Sequence, residues 1–241
     1  MLAAVAVCLP VVGAFLVMAL GRWPNAREAA TLVTAGSLFA VVYSMLGPVQ
    51  DGSISGFTIV EVVPGVTLGL EVEPLGLLFA LVASFLWIVT SLYAIGYMRG
   101  HHEENQTRFY FFFAISIGAA MGVAVSANLF TLFAFYELLT LCTFPLVTHH
   151  GTEAARKAGR VYLGLLLTTS IGFQLLAIIW TWHLAGTVDF RPGGILEGTA
   201  SLGLLSALLV LFVFGVGKAA VMPFHRWLPA AMVAPLSLIH I

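Results

Sequence analysis

The sequence predicts an all-α integral membrane protein of about seven transmembrane helices, the seventh broken near Lys218, with a small extramembrane β-hairpin between helices 2 and 3. Three observations predict it. Of 241 residues, 60% are hydrophobic and only 9% are charged, against about 25% charged in an ordinary soluble domain. Seven apolar segments approach the roughly 20 residues that a helix needs to cross a bilayer. Lys and Arg fall in alternate loops, as orientation by positive charge requires. The net charge of −1 gives nucleic acid no surface to bind.

In order, the spans are Leu2–Leu20, Ala29–Leu46, Leu75–Tyr97, Phe109–Val125, Leu129–Val147, Val161–Leu184 and Ala200–Val221. The first lacks the basic start of a signal peptide and is long enough to span, so it reads as a retained helix. Between the second and third, Gly47 to Pro74 contains FTIVEVVPGVTLGLEVEP, two β-branched runs around Pro64-Gly65. That pattern is a hairpin, and it belongs outside the membrane because two strands would leave open edges in lipid. With the N-terminus outside, the inner loops collect Arg22, Arg27, Arg99, Arg108, Arg156, Lys157, Arg160 and Arg226, while the outer loops hold only Arg191. The expected location is the inner (plasma) membrane, multi-pass. Three parts follow: residues 1–74 carry two spans and the hairpin, 75–235 carry spans 3 to 7, and 236–241 form a tail. Cys8 and Cys142 lie in apolar segments and read as packing residues.

Glu137 is the acid within a long apolar segment, ANLFTLFAFYELLTLCTFPLVTHH from Ala127 to His150. A carboxylate at mid-bilayer costs roughly 2.5–3.5 kcal/mol on insertion scales, and such groups are functional by default. One reading is a packing carboxylate bonded to Thr140 or Thr131. The other is a proton or ion site: burial disfavours its charge, a nearby cation favours it, and a group held between the two exchanges protons near neutral pH. Pro145 removes a hydrogen bond from the same helix. Lys218 sits in LLVLFVFGVGKAAVMPFHRWLP. It either snorkels to the headgroups or lines a break in the seventh span, where Gly215 and Gly217 allow close packing and Pro223 follows. Broken helices at membrane depth line cavities and mark ion sites. His225 follows Pro223 and reads either as a proton relay or as an interfacial residue beside Arg226 and Trp227. Glu153, Arg156, Lys157 and Arg160 read as an anchor for the sixth span, with Lys157 or Arg160 able to approach Glu137 if that helix starts deeper. No histidine lies mid-span, which argues against haem, and no HExxH or GxSxG pattern suggests a protease.

The run YMRGHHEENQTRFYFFFAISIGAAMGVAVSANLFTLFAFYELLTLCTFPLV and the segment GKAAVMPFHRWLPAAMVAP resemble the antiporter-like subunits of respiratory complex I, Mrp-type cation/proton antiporters and membrane-bound hydrogenases, most of all the D-type Mrp subunit. The resemblance covers about Glu73 to Pro235. It implies that Glu137 and Lys218 form a charge pair in a proton path, that the seventh helix is interrupted near the lysine, and that His225 lies near the path. It also implies a longer chain of two inverted repeats, of which this sequence covers the beginning and most of the first. After Ala234-Pro235 the sequence reads LSLIHI where the family continues differently, so residues from Leu236 are expected to be non-native, and His240 takes no role.

The functional expectation is a proton-translocating subunit, with Na⁺ as a second candidate ion, in a multisubunit cation antiporter or an NADH-quinone oxidoreductase-type complex. Its partners would be other membrane subunits and the lipid bilayer. No catalytic residue, metal or cofactor is assigned to this chain. Two alternatives stand beside it: a quinone-reductase membrane subunit that helps form a quinone site, and a truncated scaffold without transport.

Overall fold

The computed structural model describes residues 1–52 and 56–232. The tail expected to be non-native, from Leu236, lies outside the described residues, as do the last positions of the 75–235 part. Among the described residues, six helices are long and apolar enough to cross a membrane: Leu2–Ala19, Pro24–Gln50, Pro74–Gly100, Gln106–Ala124, Leu129–Val147 and Glu153–Ala185. A shorter apolar helix covers Leu202–Gly215. In chain order the elements are α1 (Leu2–Ala19), α2 (Pro24–Ser44), α3 (Leu46–Gln50), β1 (Phe57–Val63), β2 (Val66–Leu70), α4 (Pro74–Gly100), α5 (Gln106–Ala124), α6 (Leu129–Val147), α7 (Glu153–Thr169), a π-helical turn (Ser170–Leu175), α8 (Leu176–Ala185), α9 (Leu202–Gly215) and α10 (Trp227–Ala231).

Helix starts follow local chemistry. Pro24 and Pro74 occupy the first turns of α2 and α4, where proline's missing N–H is no loss. Asn128 and Thr152 cap α6 and α7 by accepting from the backbone N–H of Thr131 at 2.8 Å and of Ala155 at 3.2 Å. The Thr152 cap starts the sixth span at Glu153, well before the expected Val161. Even so, Lys157 and Arg160 stay exposed, so the longer helix does not turn them toward Glu137. The last expected span, Ala200–Val221, is shorter than anticipated. Its helix stops at Gly215, and the chain continues as a 3-10 turn over Gly217–Ala219, a left-handed Ala220 and a second 3-10 turn over Phe224–Arg226.

The main core joins α1, α2, α4 and α5 through Trp87, Phe109, Tyr110, Met98 and Leu38. In lipid, apolar surface gives no drive for association, so close backbone approach matters. Gly118 shows this: a Cβ there would lie 3.1 Å from the carbonyl oxygen of Val7 on α1. The opposite face of α4 exposes Phe79, Val82, Phe85, Leu86, Val89 and Leu92, a helical stripe suited to lipid. A second cluster packs Val147, Tyr162 and Leu166 against Trp227 and Ala231.

The hairpin forms where expected. β1 and β2 are antiparallel, and Gly65 supplies the positive φ of the turn. β2 leans on the bundle rather than standing free. Ala127 N–H donates to Gly69 O at 3.0 Å, and Leu129 N–H donates to Val188 O at 3.0 Å. Asn128 Nδ2 donates to Thr67 O at 2.8 Å. The α5–α6 connection is therefore held between the hairpin and the segment after α8.

Helix alternation sends the α1–α2, α4–α5 and α6–α7 connections to the opposite end, and polar contacts tie them together there. Buried Glu28 pairs with Arg27 and with Arg99. Arg27 donates to Gln106 Oε1 at 2.7 Å and to Thr107 Oγ1 at 3.1 Å, and lies over the Tyr110 ring. Removing one partner of a buried pair strands the other charge, so Glu28→Ala is expected to destabilise the bundle by on the order of 3 kcal/mol, read as a lower thermal midpoint. An unchanged midpoint would mean that Gln106 and Thr107 suffice for Arg27.

At the same end, buried His149 fixes the corner after α6. Its backbone carbonyl accepts from Arg108 at 2.6 Å, and its Nε2–H donates to Glu104 O at 3.1 Å. Nδ1 has no hydrogen-bond partner among the described residues. Burial, and then the Arg108 charge, hold the imidazole below its ordinary range, so it is neutral with the proton on Nε2. The unfolded histidine titrates near 6.5 and binds more protons below that value than the folded one. Stability is therefore retained above about pH 6.5 and lost as pH falls through it. His149→Gln is expected to flatten this acid loss in a thermal unfolding series, and an unaltered slope would exclude His149 as its source.

Candidate functional site

The site is built by α6 and the turn after α9. α6 is apolar apart from Glu137 and its hydroxyls. Thr140 sits one turn after Tyr136 and donates to its carbonyl at 3.0 Å, so Tyr136 O and Thr140 Oγ1 present adjacent acceptors on one face. Lys218 reaches into them. Its Nζ donates to Tyr136 O at 3.1 Å and to Thr140 Oγ1, and lies 3.7 Å from the centre of the Tyr136 ring. Its backbone N–H donates to the Tyr136 hydroxyl at 2.9 Å. The lysine is therefore turned inward onto α6, and the snorkelling alternative does not describe it.

Two glycines make this approach feasible. A Cβ on Gly215 would lie 2.7 Å from the backbone nitrogen of Gln174, and one on Gly217 would collide with Thr169. The turn packs directly on the π-helical stretch of the sixth span. Trp227 Nε1 then donates to Gly217 O at 2.8 Å, so the start of α10 packs over the 3-10 turn. Tyr162 stacks edge-on against Trp227 and shares a hydrogen bond with Thr143 at 2.6 Å.

Glu137 follows Tyr136 directly and precedes Thr140 by three residues, which puts it within electrostatic reach of Lys218 without a direct ion pair. Its Oε1 is buried with no hydrogen-bond partner among the described residues. The hydroxyls that the packing reading assigned to it are engaged elsewhere: Thr140 with Tyr136 O, and Thr131 with Thr67 O and Gly69 N–H. His225 lies in the second 3-10 turn, partly buried, with Nδ1 unpartnered, and makes no hydrogen bond to Lys218 or Glu137 among the described residues. It lies two residues before Trp227, in a turn that packs on the Gly217–Ala219 turn.

Sequence reasoning missed several polar residues. Glu28 and Arg27 flank an apolar run and look like headgroup anchors, yet they are buried. Gln174 carries no charge and gave no signal, yet it is buried against the broken turn. Tyr136 and Thr140 could have been found from Lys218 alone, because a buried ammonium needs acceptors, but nothing local tells which helix supplies them.

A bundle with several helices long and apolar enough to cross a membrane, with a lysine turned onto α6 close in sequence to an acid, defines a class: multi-pass membrane subunits. The comparisons name the family. Residues 126–241 match the family described as NADH:quinone oxidoreductase/Mrp antiporter, TM, and residues 64–110 match NADH-Ubiquinone oxidoreductase (complex I), chain 5 N-terminus. The chain belongs to this antiporter-like membrane subunit family. It is 32% identical over 181 residues to the A-type Na(+)/H(+) antiporter subunit of Alkalihalophilus pseudofirmus, covering 71% of this chain and 21% of that one. It is 32% identical over 165 residues to hydrogenase-4 component B of Escherichia coli, covering 68% and 24%. The fold resembles a chain of the Mrp complex from a Dietzia species, with a TM-score of 0.78 and 21% identity over 99% of this chain and 45% of that one. It also resembles a chain of an archaeal membrane-bound sulfane sulfur reductase, with a TM-score of 0.82 and 20% identity over 98% and 49%. The chain thus spans less than a quarter of these two curated relatives' length and about half that of the solved chains.

Proposed function

We propose that this chain is part of a proton-translocating subunit in a multisubunit cation antiporter or an NADH-quinone oxidoreductase-type complex, with Na⁺ as the candidate coupled ion of an antiporter. In this reading α9, the two 3-10 turns and α10 together form a seventh, interrupted span. The N-terminus faces outside, and the end rich in Arg faces the inner side of the plasma membrane. The observation that carries the reading is Lys218 drawn inward onto Tyr136 O and Thr140 Oγ1 beside the unpartnered Glu137 Oε1.

A proton would pass between Glu137 and Lys218 through water, and a change in their separation would alter which of the two holds it. His225 would sit at the edge of this path as a relay. No bond to a substrate is made or broken by this chain, and any redox step would belong to partner subunits. The quinone-site alternative has no residue here to support it. The scaffold alternative predicts that charge-neutral variants are silent.

The test is proton movement into everted vesicles by the full-length protein in its assembled complex, carrying Glu137→Gln. Glutamine keeps shape and hydrogen bonding but cannot take up a proton. Transport is expected to fall about a hundredfold, the scale of a lost proton-transfer group, with assembly intact. Wild-type transport would remove the assignment.

A further inference from the structure

At the hairpin end, the sixth span, α9 and the loop between them line a pocket of about 470 Å³ that the Glu137–Lys218 site does not use. That volume lies within the roughly 300–1,000 Å³ range of small-molecule sites. Its chemistry changes with depth. The opening is charged: Asp189, Arg191 and Glu197 line it, with side chains open to solvent. Gly194 N–H donates to Arg191 O at 3.0 Å, and Gly193 and Gly194 both hold positive φ. The chain turns back there and brings Arg191 and Glu197 to one opening.

Below the opening comes one hydroxyl. Thr181 lines the pocket and sits roughly 6 Å inside the end of α8. It is 1% exposed, and its Oγ1 has no hydrogen-bond partner among the described residues. Other buried helical hydroxyls donate to a carbonyl one turn back, as Thr31, Thr140, Thr169 and Ser170 do. An unmet buried polar atom is costly, so a partner for Thr181 is expected. Trp180 and Trp182 flank it in sequence, and tryptophan collects at the level of lipid headgroups. The foot is apolar. Leu205 and Phe212 of α9 line it, separated by roughly 10 Å along the helix.

Charge at the top, a hydroxyl below it and an apolar foot is the order of groups in a glycerophospholipid standing in a leaflet: headgroup, ester, chain. The charges narrow the headgroup. Arg191 Nη2 lies 3.8 Å from Asp189 Oδ2, beyond hydrogen-bond distance, and that oxygen already accepts from Thr187 Oγ1 at 2.9 Å. Arg191 therefore keeps donors for a phosphate, which its planar fork suits. Glu197 forms no ion pair among the described residues and suits a cation. We infer that this pocket holds one phosphatidylethanolamine-type lipid of the hairpin-side leaflet. Its phosphate rests on Arg191 and its ammonium on Glu197. An ester carbonyl accepts from Thr181 Oγ1, and an acyl chain runs past Leu205 toward Phe212. A headgroup with a phosphate and no ammonium meets Glu197 and Asp189 only as like charges. The inference does not depend on the proton-translocation reading.

The experiment is photolabelling of the full-length assembled complex in vesicles of equal parts phosphatidylethanolamine and phosphatidylglycerol. A trace of one lipid or the other carries a diazirine in its acyl chain, and labelled peptides are mapped by mass spectrometry. The exposed stripe of α4 around Phe85 serves as the reference for bulk lipid. The ethanolamine probe is expected to label α9 between Leu205 and Phe212 about fivefold more than the glycerol probe, the scale of an exposed charge contact, while α4 shows no preference. Arg191→Ala is expected to lower the pocket labelling about fivefold, and Glu197→Gln to abolish the preference between probes. Both positions are exposed, so neither variant disturbs the core. Thr181→Val keeps the shape and is expected to lower both probes alike, about threefold, because both carry the ester. The inference is overturned if pocket labelling matches that of α4 for both probes, or if Arg191→Ala and Thr181→Val leave it unaltered. It is equally overturned if neither probe labels the pocket, because another segment of a longer chain or a partner subunit then fills it.

Discussion

Lys218→Ala is expected to abolish measurable proton movement, an about hundredfold loss or more, while the complex still assembles. The argument is local. Lys218 Nζ donates to Tyr136 O and Thr140 Oγ1 and lies over the Tyr136 ring, and in the proposed path it is the cation that acts with Glu137. Alanine removes that cation and leaves the acid without its counterpart. Arginine is not a conservative replacement, because its planar fork does not fit a site shaped for a point charge and is not readily deprotonated. Lys218→Arg is therefore expected to assemble and to transport poorly. Vesicle acidification with both variants checks this. Transport by Lys218→Ala at wild-type rate would favour the scaffold alternative.

Gly215→Ala is expected to be the most damaging single-methyl change near the site. The added Cβ would lie 2.7 Å from the backbone nitrogen and from Cβ of Gln174, and 2.8 Å from its Cα. Backbone cannot swing aside as a flexible side chain can, so the broken turn must move off the sixth span. Overpacking of this kind costs about 1–3 kcal/mol. The larger consequence is positional, because Gly215 and Gly217 set the depth at which Lys218 meets α6. Both the thermal midpoint of the complex and its transport should fall. Gly203→Ala, on the same helix with nothing near its Cβ, is expected to be silent. Equal behaviour of the two variants would show that close approach at Gly215 does not matter.

Much of the fold was legible because lipid imposes a coarse requirement. A run of apolar residues such as Leu129–Val147 can only be a span, and its observed helix has those bounds. The hairpin was legible because Pro64-Gly65 between β-branched runs admits one local solution, and Gly65 takes the positive φ it needs. The sixth span was misread at its start. The charges of Glu153, Arg156 and Lys157 masked a helix that Thr152 had already capped, and a Thr cap followed by an acid in the first turn was a usable signal. The last span's helix stops at Gly215, short of Val221, because continuous hydropathy does not report where backbone packing stops a helix. Gly215 and Gly217, with Pro223 beyond them, were the signal for irregular backbone near Lys218.

The candidate site was legible to the extent that charge in lipid is rare. Glu137 and Lys218 stand out against apolar neighbours, and family resemblance links them. Their surroundings were not legible. Tyr136 reads as an ordinary helix residue until the turn 82 positions later arrives, and Thr140 reads as a partner for Glu137 rather than for Lys218. Gln174 and Thr181 carry no charge, and a π-helical turn leaves no periodic trace in a uniformly apolar segment. Glu28 drew no reading because a carboxylate beside Arg27 near a helix start resembles a solvated pair, whereas Arg99 from α4 closes over it.

The central claim is that Glu137 takes up and releases a proton. It is tested most directly by infrared difference spectra of the full-length complex, recorded as pH is stepped and as the complex turns over. The account predicts a carbonyl stretch of a protonated carboxyl group that comes and goes in the wild type, is absent in Glu137→Gln, and is altered in Lys218→Ala. Identical spectra for the wild type and Glu137→Gln would contradict it.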